Sequence, residues 1–264
     1  MRSSPFALPD GLFALPDGLF APPPAERRIA FLRGVRFAHR GLHGRGRVEN
    51  SRAAFTAAVE AGDGIECDVQ MSVDGTAFVF HDATLERLTE AQGQINAIAA
   101  GKIGRTLLKG TSEAIPRLEE VLSLISGRVP LLIEVKAPEA QVARLCLAVR
   151  RALEGYRGPV AVMSFNPEVG YWFAAHAPRI TRGLVITEEG KRNIKGRVER
   201  HLALWRARPD FLAYDVRDLP SRFAAAQRTR GLPVLTWTVR GAAVEQVAAE
   251  HADAPIYEIE EDDS

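Results

Sequence analysis

The chain carries a series of charged groups, each at or just past the end of a short apolar stretch: His39 and Arg40, Glu49 and Asn50, Glu66 and Asp68, His81 and Asp82, Glu134 and Lys136. Charged side chains gathered at the ends of several strands are the raw material of a site on a parallel sheet. Successive side chains in a strand alternate between faces, so residues i and i+2 project together, roughly 7 Å apart. Glu66 and Asp68 therefore share one face of the run 64–69, and Cys67 points the other way. In the run 131–136, Leu132, Glu134 and Lys136 share a face, while Ile133 and Val135 turn to the opposite layer. Three carboxylates brought to one point repel each other and hold protons more tightly unless a cation stands between them. A hard divalent cation resolves that conflict. All-oxygen ligation favours Mg²⁺ or Ca²⁺, with Mn²⁺ also suitable, over Zn²⁺, since neither cysteine has ligand spacing. Any single pair reads equally well as a surface ion pair at a strand end; the ordered set does not.

The elements that must position these groups alternate along the chain. Residues 35–38, 65–69, 77–80, 131–135, 160–163, 183–186, 211–214 and 234–239 have the composition of short buried strands, and 256–259 make a ninth candidate. Between most of them apolar residues recur at helical spacing: Leu118, Val121, Leu122 and Ile125; Val142, Leu145 and Val149; Val169, Trp172 and Phe173; Val198, Leu202 and Trp205. Gly127, Gly155 and Gly231 fall where helices should stop. Repeated strand-then-helix units imply a parallel sheet, and about eight of them imply a closed (β/α)₈ TIM barrel with its chemistry at the carboxyl ends of the strands. Only residues 71–76 separate the second strand from the third, too few for a helix, so the barrel is expected to carry a hairpin or a bare crossover there. Nine candidates then compete for eight places.

A chain of 264 residues with 46% hydrophobic content can bury one large core. With 34 Lys plus Arg against 33 Asp plus Glu, the net charge of +1 gives no electrostatic case for nucleic acid or an acidic membrane surface. A small molecule is the expected partner. Two cysteines make no disulfide framework, and no apolar run is long enough to span a bilayer, so a cytoplasmic protein is expected. Residues 1–30 differ from the rest: FALPDGL occurs twice in tandem, at 6–12 and 13–19, before the Pro22-Pro23-Pro24 run. Its prolines and Pro-Asp-Gly turns forbid a continuous helix, so this segment reads as a poorly ordered leader preceding one barrel domain over 31–264.

Taken together, the motifs resemble the glycerophosphodiester phosphodiesterase family. AHRG at 38–41, EN at 49–50, IECDVQMSVDG at 65–75, VFHD at 79–82, IPRLEEVL at 115–122, IEVK at 133–136, MSFN at 163–166 and WTV at 237–239 occur in the family's order. The resemblance implies a TIM-barrel hydrolase that uses a divalent cation to cleave a glycerophosphodiester into glycerol 3-phosphate and an alcohol. Carried over residue by residue, it makes Glu66, Asp68 and Glu134 the metal ligands and His39 and His81 the general acid/base pair, imidazole titrating near neutrality. The attacking group is water or the substrate's own glycerol hydroxyl. Arg40 would offer a bidentate fork to the phosphodiester and Lys136 a compact charge, while Trp237 would line the pocket. Glu49 and Asn50 would support the site, although Asn50 or Ser51 could equally cap the helix that follows. Asp215 is a weaker candidate, and His43, His176, His201 and His251 read as non-catalytic. Gly41, Gly44 and Gly46 match no phosphate-binding fingerprint and read as a flexible loop. The ending Ala254-Pro255-Ile256-Tyr257-Glu258 departs from the Asp-containing strand with which many relatives close, which leaves the last strand open.

Two other readings fit the same residues. A lysophospholipase D-like barrel would use the same metal and histidines on lysophospholipids and would need an apolar landing surface. A non-catalytic binding barrel would be expected to show a broken ligand set, whereas every ligand and both histidines are present.

Overall fold

Strands β1 (Phe37–Ala38), β2 (Gly64–Met71), β3 (Ala77–Val79), β4 (Leu131–Val135), β5 (Val160–Ser164), β6 (Thr181–Ile186), β7 (Phe211–Asp215), β8 (Val234–Val239) and β9 (Ala254–Tyr257) form one sheet in this computed structural model, which describes residues 22–44 and 46–259. All but β3 run parallel, and the sheet closes because β1 pairs with both β2 and β9. This is the TIM barrel the alternation implied. The tandem FALPDGL repeat lies outside the described residues.

The contest for eight places is resolved at β3. It pairs antiparallel with the end of β2, Val69 opposite Val79 and Met71 opposite Ala77, and stands outside the barrel. A tight turn makes this hairpin: Ser72 Oγ donates to Asp74 at 2.5 Å, and Gly75 takes a φ of +90°. The closing strand, in doubt from sequence, forms over Ala254–Tyr257 rather than 256–259 and completes the ring. The first strand is shorter than expected, two residues instead of four.

Helices α1 (Glu26–Ile29), α2 (Arg52–Ala61), α3 (Ala100–Ile103), α4 (Leu118–Ile125), α5 (Val142–Ala152), α6 (Pro167–His176), α7 (Ile194–Ala207), α8 (Arg222–Thr229) and α9 (Gly241–His251) surround the sheet. Outward-facing strand residues such as Ile65, Cys67, Val69, Ile133 and Val135 pack under α4 and α5, whose Leu118, Val121, Leu145 and Val149 are all buried. Inward-facing Phe37, Leu132, Met163, Val185, Phe211, Leu235 and Ile256 fill the barrel, and Ile29 and Leu32 from the helical entry segment close its floor. The alternation therefore holds in detail: apolar residues occupy the lower layers of the interior, and the carboxylates stand above them.

Two expectations need correction. In α7 the apolar spacing of Val198, Leu202 and Trp205 marks the exposed face, and the buried face is Gly196, Arg200, Leu204 and Ala207. Arg200 can be buried there because Glu188 pairs with it at 3.3 Å. Gly41 does not serve flexibility: its φ is +80°, and a Cβ there would meet Ala54 and Phe55 at 2.9 Å, so glycine is what lets the loop after β1 pack on α2.

Between β3 and α4 the chain makes an excursion with its own apolar cluster, Phe78, Phe80, Leu85, Ile95, Ile103, Leu108 and Ile115. That small subdomain holds residues 81–87 over the mouth of the barrel.

Candidate active site

The register of β2 and β4 sets the centre of the site. Asp68 pairs directly with Glu134, and Glu66 stands one inward position below Asp68. The three carboxylates are buried, and one oxygen of each lies within 4.8 Å of the others. Lys136, just past β4, places its Nζ 3.0 Å from Asp68 and 2.8 Å from Glu134.

Crowding divides these groups. Burial, together with the charges of Asp68 and Glu134, pushes the Glu66 carboxyl well above the usual range, and burial raises Glu134 as well. Burial works against Asp68 too, but the charges of Lys136, Arg40, His81 and His39 outweigh it and hold Asp68 far below its ordinary value. The same carboxylates push the Lys136 ammonium upward against its own burial. Glu66 Oε1 is buried without a hydrogen-bond partner. An orphaned carboxylate oxygen beside two more carboxylates is a donor set suited to a hard divalent cation.

The loop after β1 supplies the next layer. Arg40 and Asn50 both take left-handed backbone, φ +57° and +56°, a conformation that costs a non-glycine residue on the order of 1 kcal/mol or more. Each is held there by bonds to the site: the Arg40 N–H donates to Glu66 at 3.1 Å, and the Asn50 N–H donates to the Arg40 carbonyl at 2.8 Å. Asn50 Nδ2 donates to Asp68 at 3.0 Å, and its Oδ1 accepts from the Asp68 N–H. Ser51, not Asn50, caps α2, accepting from the Ala54 N–H. The two alternatives for this pair are thus divided between the two residues.

Both histidines reach the cluster. His39 Nε2 lies 3.8 Å from Glu66, and His81 is near enough to Asp68 for its charge to act on it. Burial, aided by the charges of Lys136 and Arg40 and opposed by Asp68, lowers the His81 imidazole below its usual value. Its Nδ1 faces Asp82 at 2.7 Å. Asp82 accepts from Arg87 at 2.5 Å, Arg87 donates to Glu49 at 2.8 and 2.9 Å, and Glu49 accepts from Arg40 at 2.8 Å. This chain of alternating charge ties the excursion after β3 to the β1 loop. Arg87 was not legible from the sequence, since nothing local marks it and only the fold of the excursion brings it in.

Trp237 stands on β8, its Nε1 donating to the Ala213 carbonyl at 3.1 Å, with the exposed Phe165 edge-on to it at 5.6 Å. Asp215 does structural work, accepting from the Arg217 backbone and side chain. His176 and His201 lie on outer helices against Trp172 and Phe223.

The model of the glycerophosphoryl diester phosphodiesterase family matches residues 39–254. The chain belongs to this family. Among glycerophosphodiester phosphodiesterases it is 37% identical over 107 residues to one from Bacillus altitudinis, covering 38% of this chain and 43% of that protein. It is 41% identical over 111 residues to one from Caldanaerobacter subterraneus subsp. tengcongensis, covering 38% and 44%. The aligned stretch thus spans less than half the length of these two relatives. In fold it is similar to an Oleispira antarctica phosphodiesterase solved with the product sn-glycerol-3-phosphate, at TM-score 0.75 and 24% identity over 86% of this chain and 93% of that one. It is also similar to the glycerophosphodiester phosphodiesterase of Thermotoga maritima, at TM-score 0.66 and 25% identity over 84% and 94%. No helix among the described residues is long and apolar enough to cross a membrane.

Proposed function

We propose that this protein hydrolyses glycerophosphodiesters, yielding glycerol 3-phosphate and an alcohol, with Glu66, Asp68 and Glu134 holding a divalent cation and His39 and His81 transferring protons. The observation that carries the reading is the buried carboxylate cluster with an orphaned oxygen on Glu66, the His39 ring 3.8 Å from Glu66 and His81 close enough for its charge to act on Asp68. A bound Mg²⁺ or Ca²⁺ would supply Lewis acidity toward the phosphoryl oxygens. The chain's own residues do the remainder. Arg40 and Lys136 bring positive charge to the phosphodiester, which stabilises charge building there during the displacement. One imidazole takes the proton of the attacking oxygen and the other gives one to the leaving alkoxide, so that water adds across the cleaved P–O bond and the net proton count is unchanged. Glu49 and Asn50 hold Arg40 and Asp68 in place through the bonds described above. Trp237 borders the pocket that receives the glycerol or the alcohol. Buried, free Cys67 and Cys146 support a reducing, cytoplasmic setting.

The exposed Phe165 beside Trp237 gives the rim an apolar edge, which favours lysophospholipids as a second substrate class. Release of choline or ethanolamine from glycerophosphocholine, glycerophosphoethanolamine and lysophosphatidylcholine, with glycerol 3-phosphate as the co-product of the first two and lysophosphatidic acid of the third, after EDTA and with Mg²⁺, Ca²⁺ or Mn²⁺ restored, tests both. We expect cation-restored release from the water-soluble diesters that is lost in His39→Ala. Turnover of the lysolipid alone would move the assignment to the second class, and silence throughout with intact cation binding would reject both.

A further inference from the structure

We infer that Glu258 is a positioning residue for His39, fixing the ring so that Nδ1 carries its proton and Nε2 is the atom presented to the site. The inference rests on the reading of His39 as a proton-transfer group. His39 Nδ1 lies 2.5 Å from Glu258 Oε1, while Nε2 points toward the carboxylate cluster, 3.8 Å from Glu66. Two bonds hold His39 to the end of β9: the ring to Glu258, and its backbone N–H to the Tyr257 carbonyl at 2.9 Å. Glu258 is itself fixed, its N–H donating to the Val239 carbonyl at 3.0 Å and its Oε2 accepting from Arg240 Nε at 2.8 Å. His43 Nε2 approaches the same carboxylate at 3.8 Å.

The chemistry of the pair decides the tautomer. A carboxylate that faces two imidazoles and a guanidinium is an acceptor only, so the nitrogen it touches must be the donor. Burial disfavours the Glu258 carboxylate, but the hydrogen bonds from His39 and Arg240, with the His43 ring nearby, prevail and hold its pKa well below the usual carboxylate range. A ring that donates from Nδ1 has its lone pair, or its transferable proton, on Nε2. Arg240 completes the arrangement as the counter-ion to Glu258.

The test pairs kinetics with a readout that does not need turnover. Proton spectra of protein labelled with ¹⁵N-histidine, with His39→Asn assigning the signal, should show for His39 a far-downfield Nδ1-bound proton. Glu258→Ala should erase that proton, and Glu258→Gln, which keeps an acceptor of the same length, should retain it shifted. On glycerophosphoethanolamine with Mg²⁺ we expect Glu258→Ala to lower kcat on the order of 10²-fold, within the range a positioned acid or base supplies, with KM within about twofold. Glu258→Asp should recover part of the loss. An unchanged His39 signal in Glu258→Ala, or unchanged kcat in both Glu258→Ala and Glu258→Gln, would overturn the inference. A wild-type protein that turns over no diester would reject the functional reading instead, and the spectrum alone would then decide whether Glu258 fixes the ring.

Discussion

Lys136 shows how finely the charges at this site are balanced. Its ammonium touches two carboxylates, and a third lies among them; without it, Asp68 and Glu134 face each other with the strongest of the offsetting charges gone. Removing one partner of a buried ion pair leaves an uncompensated charge and costs about 3–5 kcal/mol. Lys136→Met should therefore destabilise the cation-free protein by an amount in that range, read by urea unfolding, and abolish turnover. A divalent cation should restore much of the stability but not the activity; a variant as stable as wild type in EDTA would show that the pair contributes little. Glu66, Asp68, Glu134 and Lys136 were legible in the sequence because strand alternation alone fixes which side chains share a face. Arg87 and Glu258 were not, because their places depend on the path of an excursion and on whether the final strand closes the barrel. Asn50 stood between two roles, and only the cap made by Ser51 assigned it to Asp68.

At the scale of elements, the barrel interior is built by opposing large and absent side chains. Gly183 on β6 faces the Phe211 ring of β7, where a Cβ would come within 2.3 Å of the ring carbons, and Gly64 faces Phe37 in the same way at 2.6 Å. Gly183→Ala should then cost about 1–3 kcal/mol through overpacking, and Phe211→Leu in the same chain should recover part of it. Thermal unfolding of the single and double variants gives the coupling directly; purely additive losses would mean that the ring does not set the limit. Strand and helix types were readable from periodicity, but faces were not always. The stripe of Ile194, Val198, Leu202 and Trp205 has ideal helical spacing and is exposed, because the inner face of α7 uses small residues and a paired Arg200 instead. The β2–β3 hairpin could be anticipated from a loop too short for a helix, while the choice of which strand leaves the barrel required the closure of β9 against β1.

For the whole molecule, the carboxylate cluster joins β2 to β4 and, through Arg40 and Asn50, to the loop after β1, so a cation bound there should act on global stability. A ligand at 100 times its Kd stabilises by about 2.7 kcal/mol, which for a chain of this size corresponds to a Tm rise of roughly 5–11 °C. The pH dependence has a definite sign. Glu66 and Glu134 have folded-state pKa values raised above those of the unfolded chain, so the cation-free folded protein binds more protons than the unfolded one. Their contribution to its stability is intact below the unfolded carboxyl value, near pH 4.5, and is lost as pH rises toward the folded values. A cation displaces those protons and removes that penalty. The difference in Tm between Mg²⁺- or Ca²⁺-loaded and EDTA-treated protein should thus grow as pH rises above the unfolded carboxyl value of 4.5 and shrink sharply in Glu66→Gln. A difference that is flat with pH, or that survives the substitution, would place the cation elsewhere on the protein.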